Sequence, residues 1–210
     1  MFAGFLAVCR SVTLLRHAYS VKTFKAAGTP AFTMTDGALP SARLKELGEP
    51  GRVLDVGCGN GRNSVELLSA GWEVVALDID VSGVRGLDGV FLHVVRADAN
   101  AMPFRAESFD AVLDSFTYTF LDKEKYAAEV ARLLKEGGTL LLEFDDDPHV
   151  RGYPELLMMA EPVVRRLRLE RLWLLGHAWG DIQVETRQVP FLALLLIKRS
   201  SAAARSTLSS

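Results

Sequence analysis

Val53-Leu54-Asp55-Val56-Gly57-Cys58-Gly59-Asn60-Gly61-Arg62-Asn63-Ser64 decides the fold. It reads as a buried strand, Arg52 to Val56, running straight into a glycine loop that opens a helix at about Asn63. Glycines at alternate positions remove every Cβ where the backbone must turn tightly, and they let a ligand approach the main chain. Asp55 stands two residues before the first of them. A dinucleotide fingerprint spaces its glycines Gly-x-Gly-x-x-Gly, whereas here they are Gly57, Gly59 and Gly61 behind an acid. A carboxylate there repels a pyrophosphate, which places a nicotinamide-dependent oxidoreductase far down the order of readings.

Working outward, Pro50-Gly51 launches this first strand, and a short helix, Ser41–Leu47, precedes it and is ended by Gly48. Downstream, helix Asn63–Ala70 ends at Gly71, and a second apolar strand, Glu73–Ile79, finishes in Asp78-Ile79-Asp80. Val81–Gly89 is too short and glycine-rich for a helix. Val90–Ala97 and Phe109–Ser115 are the third and fourth strands, Asp122–Leu134 is a well-patterned helix stopped by Glu136-Gly137-Gly138, and Thr139–Asp145 is the fifth strand. Apolar strands alternating with helices predict an α/β fold with a parallel sheet covered on both faces. After Asp145 the pattern changes: Pro154–Leu167 is a helical stretch interrupted by Pro162, and Leu169–Leu175 and Val189–Lys198 are strands with only a loop, Gly180 to Gln188, between them. Strands joined without a helix are most simply antiparallel, so the sheet should end in a hairpin.

The 210 residues suffice for one α/β domain and are too few for two ordinary ones. A net charge of −2 gives no electrostatic reason to expect nucleic acid as a partner. Of the two cysteines, Cys9 and Cys58, one lies inside the glycine loop, which argues against a structural disulfide and for a reducing, cytoplasmic setting. The longest apolar runs, Phe2–Cys9 and Phe191–Ile197, fall far short of the roughly 18 residues of a membrane span. Near the start, apolar residues recur at helical spacing and basic residues follow them, the reverse of a signal peptide. Residues 1–40 therefore read as an extension: a lid helix over the ligand site, a weak interfacial helix, or sequence outside the folded domain. The domain proper is expected over 41–199, with 200–210, small and polar, a disordered tail.

Ligands of an open α/β sheet bind outside the carboxyl ends of its strands. Standing there are Asp55–Gly61, Asp78, Asp98, Ser115–Thr119 and Glu143–Asp147, so four of the five strand ends carry acids. Carboxylates at one sheet edge, facing a glycine turn, suit a ligand rich in hydroxyls and amines. An acid at the end of the second strand, about twenty residues beyond the first, can accept both hydroxyls of a ribose.

Val53–Gly61, Asp78, Ala97-Asp98-Ala99, Phe109-Asp110-Ala111-Val112-Leu113 and Leu133-Leu134-Lys135-Glu136-Gly137-Gly138 together resemble the class I S-adenosylmethionine-dependent methyltransferases, in order and in spacing, over roughly residues 41–199. The resemblance implies a Rossmann-like three-layer sandwich with a seven-stranded, mostly parallel sheet and an antiparallel last strand. It implies S-adenosylmethionine as cofactor, its amino-acid end held by Asp55 and the backbone of Gly57, Cys58, Gly59 and Gly61. Asp78 would bind the ribose, Ile79 would pack on the adenine, Asp98 with its neighbour Ala99 would meet the adenine amino group, and Ser115 would lie near the methionine moiety. Gly57–Ser64 followed by Leu67-Leu68-Ser69-Ala70-Gly71 is also similar, over about twenty residues, to the small tellurite-resistance type of methyltransferase.

Asn63 and Ser64 read equally as helix caps or ligand contacts, and Arg62 as a cofactor contact or a surface residue. Methyl transfer from a sulfonium is a direct displacement, needing alignment, exclusion of water and, for some acceptors, a base. Phe116-Thr117-Tyr118-Thr119-Phe120 lacks an Asn-Pro-Pro-Tyr-like motif, which argues against exocyclic amines of DNA and glutamine side chains; the acceptor is expected to be a small molecule. Its aromatics either floor an acceptor pocket or belong to the core. Glu143 to His149 could supply a base, His149, or a metal site, but consecutive strand residues point apart, and a solvated acidic turn is the simpler reading, with no metal expected. Arg165, Arg166, Arg168 and Arg171 form a basic cluster, most simply a solvated face. The alternative to an enzyme is a non-catalytic cofactor-binding or interaction module.

Overall fold

The computed structural model describes residues 32–33, 43–84, 87, 89, 91–145, 158–167, 171–184 and 187–198. Its strands are β1 (Phe32–Thr33), β2 (Arg52–Val56), β3 (Glu73–Asp78), β4 (Leu92–Arg96), β5 (Phe109–Ser115), β6 (Leu134–Asp145), β7 (Arg171–Val184) and β8 (Arg187–Ile197). Helix α1 (Arg62–Ser69) follows β2, α2 (Lys123–Leu133) follows β5, and α3 (Glu161–Leu167) precedes β7. The strands form one sheet in the order β1-β7-β8-β6-β5-β2-β3-β4. Pairings from β4 through to β6 are parallel, and β8 runs antiparallel to both β6 and β7. The expected Rossmann-like fold is therefore present. The sheet has eight strands where seven were expected, because the two-residue β1 adds to the edge at β7.

Each central strand alternates its side chains between two cores, as the pleat requires. On one face Leu54, Val56, Val75, Leu77, Val112 and Leu140 pack beneath α2 (Tyr126, Ala127, Val130, Leu133) and α3 (Val163, Leu167). On the other, Val53, Val74, Ala76, Ala111, Leu113 and Leu141 meet Leu67 of α1 and Leu44 and Leu47. Those leucines belong to a 3-10 turn, Leu44–Leu47, in place of the expected helix from Ser41; residues 41 and 42 lie outside the described residues.

The hairpin differs from expectation more. Strand β7 runs on to Val184, pairing Ile182 with Val189, Gln183 with Gln188 and Val184 with Arg187, so most of the expected loop from Gly180 to Gln188 is strand. The register shifts between Ala178 and Ile182, so Gly180 marks an irregularity inside a long strand, the other common meaning of a strand glycine. The helical stretch is interrupted close to Pro162, by a turn at Ala160 between helical Met158–Met159 and α3, and Pro162 itself stands in the first turn of α3, where a missing N–H costs nothing. Of the expected extension over 1–40 only Phe32–Thr33 is described, and the possible lid helix and the expected tail from Ser200 lie outside the described residues.

Candidate functional site

Strands β2 and β5 are neighbours although far apart in sequence, and the crossovers from β2 leave in the opposite direction, toward β3 and β4. Loops at their carboxyl ends therefore diverge and leave a crevice. The glycine loop forms one wall. Gly57 and Cys58 both donate their N–H to the Leu77 carbonyl, at 2.7 and 3.0 Å, which binds the loop to the end of β3. Gly57, Gly59 and Gly61 all have positive φ, a region costly to residues with a Cβ. At Gly57 a Cβ would lie 1.8 Å from Thr117 Oγ1, whereas at Gly59 it would meet nothing within 4 Å.

Asp55 is 1% exposed on the α1 face, where Ser64 Oγ donates to its Oδ2 at 2.5 Å. Burial lifts its carboxyl to about 6, against the lowering effects of the Ser64 hydrogen bond and the Arg62 charge. Asn63 and Ser64 are both buried inside α1, whose N-cap is Gly61 with no side-chain cap, so neither caps the helix. Cys58 is buried, and burial, then the charges of Asp55 and Asp78, push its thiol up to about 12, leaving it protonated and inert.

Asp78 terminates β3. Its Oδ2 accepts the Gly59 N–H at 2.9 Å and its Oδ1 the Asp80 N–H at 3.0 Å, so the second-strand acid sits directly on the glycine loop. The next residue, Ile79, is 68% exposed, a large apolar side chain left uncovered at the sheet edge. Beyond β4, Asp98 accepts from Asn100 N at 2.8 Å and from Asn100 Nδ2 at 3.0 Å, and Asn100 Oδ1 in turn accepts from Asp122 N at the start of α2. Ala99 is buried in the core beneath.

Ser115, at the end of β5, donates its hydroxyl to Glu143 Oε2 at 2.9 Å, and Arg43 bonds the other carboxylate oxygen at 3.2 Å. Glu143 is thus buried and engaged by Ser115 and Arg43 on the α1 face of β6, which removes it from the expected acidic turn as a metal ligand. Among the described residues no group of three or more potential ligands gathers. His149, the candidate base, lies outside them. The turn after β5 divides its aromatics. Tyr118 enters the core, its hydroxyl donating to the Met159 carbonyl at 2.6 Å, while Phe120 is 84% exposed. Arg165 pairs with Glu124 and Glu161, and Arg166 with Glu124, so this part of the basic cluster is an ion-paired helix face.

One functional candidate escaped the sequence reading, Asp114. Asp114 is fully buried, and its Oδ1 accepts the N–H groups of Thr117 and Tyr118 at 2.9 and 3.0 Å. An acid inside the apolar run Phe109–Ser115 was the available signal.

The chain is similar to several known proteins. Residues 54–142 match the family described as "Methyltransferase domain". The demethylmenaquinone methyltransferase of Renibacterium salmoninarum is 39% identical over 54% of this chain and 51% of its own length. That of Mycobacterium bovis is 34% identical over 68% of this chain and 66% of its own. The chain thus spans about half the length of the first of these curated relatives. Among solved structures, 1,6-didemethyltoxoflavin-N1-methyltransferase of Burkholderia thailandensis, with S-adenosylhomocysteine bound, aligns over 94% of this chain and 90% of its own with a TM-score of 0.60 at 22% identity. Phosphoethanolamine N-methyltransferase 2 of Haemonchus contortus aligns over 76% of this chain and 52% of its own at a TM-score of 0.62 and 15% identity. The glycine loop behind Asp55 and the acid at the end of β3 both lie inside the stretch that matches the methyltransferase-domain family, and the fold around them is that of solved methyltransferases.

Proposed function

We propose that this protein transfers a methyl group from S-adenosylmethionine to a small-molecule acceptor by direct displacement. The observation that carries the reading is the pairing of Asp78 with the glycine loop: a carboxylate and the open, Cβ-free backbone of Gly59 share one edge of the crevice. The residues fit the cofactor. Open space above Gly59 admits an approach to the backbone, Asp78 offers a carboxylate for ribose hydroxyls, and exposed Ile79 offers an apolar face for the adenine. Asp98 would receive the adenine amino group, beside Ala99. Asp55, with Gly57, Cys58, Gly59 and Gly61, would hold the amino-acid end, and Ser115 would lie beside it. Bound there, the cofactor supplies a methyl group on a sulfonium, already activated for displacement.

The chain's own work is then alignment and exclusion of water. Two hydrogen bonds, the buried one from Ser64 to Asp55 and the part-buried one from Ser115 to Glu143, fix the carboxyl ends of β2, β5 and β6 before anything binds, a form of preorganisation. The names of the curated relatives support a menaquinone-type acceptor as the first to test.

Calorimetry with S-adenosylmethionine and S-adenosylhomocysteine tests the cofactor half. Asp78→Ala should weaken binding at least roughly tenfold, the loss of charge-assisted hydrogen bonds to a ribose. Wild-type protein that binds neither compound overturns the reading. Radiolabelled methyl transfer across a small-molecule panel that includes demethylmenaquinone tests the acceptor half, and cofactor binding without any turnover favours the non-catalytic module instead.

A further inference from the structure

Asp114 takes no part in the cofactor contacts assigned above, yet it is a fully buried acid in the middle of the molecule. Its Oδ1 accepts two successive backbone N–H groups, Thr117 and Tyr118, and so closes the turn after β5. That turn is strained: Phe116 has φ +68, costly for a bulky side chain, and its N–H is tied to the Glu143 carbonyl at 2.7 Å. The strain aims Thr117 at the neighbouring strand end. Thr117 Oγ1 donates to the Val56 carbonyl at 3.2 Å, and the Thr117 side chain fills the volume a Gly57 Cβ would need. Val56 and Gly57 are where β2 passes into the glycine loop.

We propose that Asp114 is a positioning residue for the cofactor site, seating the glycine loop through the Thr117 side chain. The turn after β5 and the loop after β2 are then one mechanical unit, latched by one carboxylate. The proposal rests on the cofactor reading above for its functional meaning, and on the hydrogen bonds for its mechanics.

The latch also responds to ionisation. Asp114 Oδ2 and Tyr126 Oη are both buried without a hydrogen-bond partner that satisfies ordinary geometry. Burial lifts the Asp114 carboxyl to about 7, against the lowering effects of the Thr117 and Tyr118 amides and the Tyr126 hydroxyl. The charged and titratable groups facing it are Tyr126 and Lys123 from α2 and Tyr118 from the turn itself, while Asp55 of β2 acts on it from the other face of the sheet. As the carboxylate it holds the two amides by charge-assisted hydrogen bonds; as the acid it holds them less firmly and has a proton to give to Tyr126. The glycine loop should therefore be seated more tightly above neutral pH than below it.

Amide hydrogen exchange read by mass spectrometry on the full chain decides the mechanics without any ligand. Asp114→Asn keeps the shape and removes the charge, and Thr117→Val keeps the volume and removes the hydroxyl. Each should raise exchange in the peptide covering Val56–Gly61 several-fold, while β4 stays as protected as in wild type. The double variant should exceed the larger single effect by little, because both break the same latch. After correction for intrinsic exchange, wild-type protection of this peptide should rise between pH 6 and 8, and Asp114→Asn should flatten that rise. Unchanged exchange at Val56–Gly61 in both variants, or fully additive effects, overturns the proposal. In parallel, S-adenosylhomocysteine affinity should fall about tenfold in Asp114→Asn with a similar loss in Thr117→Val. Loosening of the loop with affinity unchanged overturns the positioning role. Absence of binding in wild type overturns the cofactor reading and leaves the exchange result to decide the latch.

Discussion

Gly57 and Gly59 have similar backbones, φ +66 and +54, and opposite surroundings. The left-handed conformation alone costs a residue with a Cβ about 1–2 kcal/mol. Gly59→Ala pays little beyond that, since its Cβ enters open space, so the variant should stay folded with a modestly lower Tm. Gly57→Ala adds a collision with Thr117, which sits on backbone that Asp114 holds, and overpacking of this kind costs typically a further 1–3 kcal/mol or more. Its loss of stability in urea should clearly exceed that of Gly59→Ala. Binding should rank the other way among the molecules that still fold: Gly59→Ala should lose S-adenosylhomocysteine affinity disproportionately, because the added methyl occupies the approach to the loop. Equal stabilities for the two variants would mean that Thr117 yields easily. Sequence alone could name these glycines but could not separate them, because what distinguishes them is a residue sixty positions away in the chain.

At the scale of elements, legibility followed locality. Strands β2 and β5 begin and end where the apolar pattern puts them, because each is a buried run bounded by polar residues and turns. The hairpin was misjudged because Gly180, Asp181 and Glu185 look like loop punctuation, while backbone pairing with β8 holds most of that stretch in the sheet. The connection from β4 to β5 was equally opaque. It is held by side chains of α2: Glu129 accepts the Met102 N–H at 2.6 Å, and Arg132 reaches the carbonyls of Phe104 and Met102 while its fork also binds Glu129. That connection carries Asp98 and Ala99, so a helix far in sequence fixes their place. Lysine cannot reproduce a planar fork with three simultaneous partners. Arg132→Lys should therefore cost about 1–3 kcal/mol in urea unfolding, more than an exposed conservative exchange, and should raise amide exchange across residues 98–105 first. Exchange that rises evenly through the whole chain would assign Arg132 to general stability instead.

Across the whole molecule, two buried acids flank the central strands on opposite faces of the sheet, Asp55 beside α1 and Asp114 beneath α2. Both have carboxyls lifted by burial from 3.8, to about 6 and about 7. The folded chain therefore keeps protons that the unfolded chain has already released, and folding is favoured by these groups most fully below 3.8. Their contribution is lost as pH rises through the folded values. Asp110, Asp122 and Glu129 act in the other direction: hydrogen bonds and nearby cations, opposed by burial, hold their carboxyls below the usual range, so what they contribute is present at neutral pH and lost in acid. Stability should then peak in mildly acidic solution, and the urea midpoint should fall between pH 5.5 and pH 8. The Asp55 charge is only the least of the influences on Asp114, so the two contribute largely separate parts of the fall. Asp114→Asn should consequently remove the upper part of that fall and leave the part belonging to Asp55, which is complete near pH 6. A midpoint that rises from pH 5.5 to pH 8 would show both acids ionised in the folded protein at pH 5.5, with the crevice wetter than its burial implies.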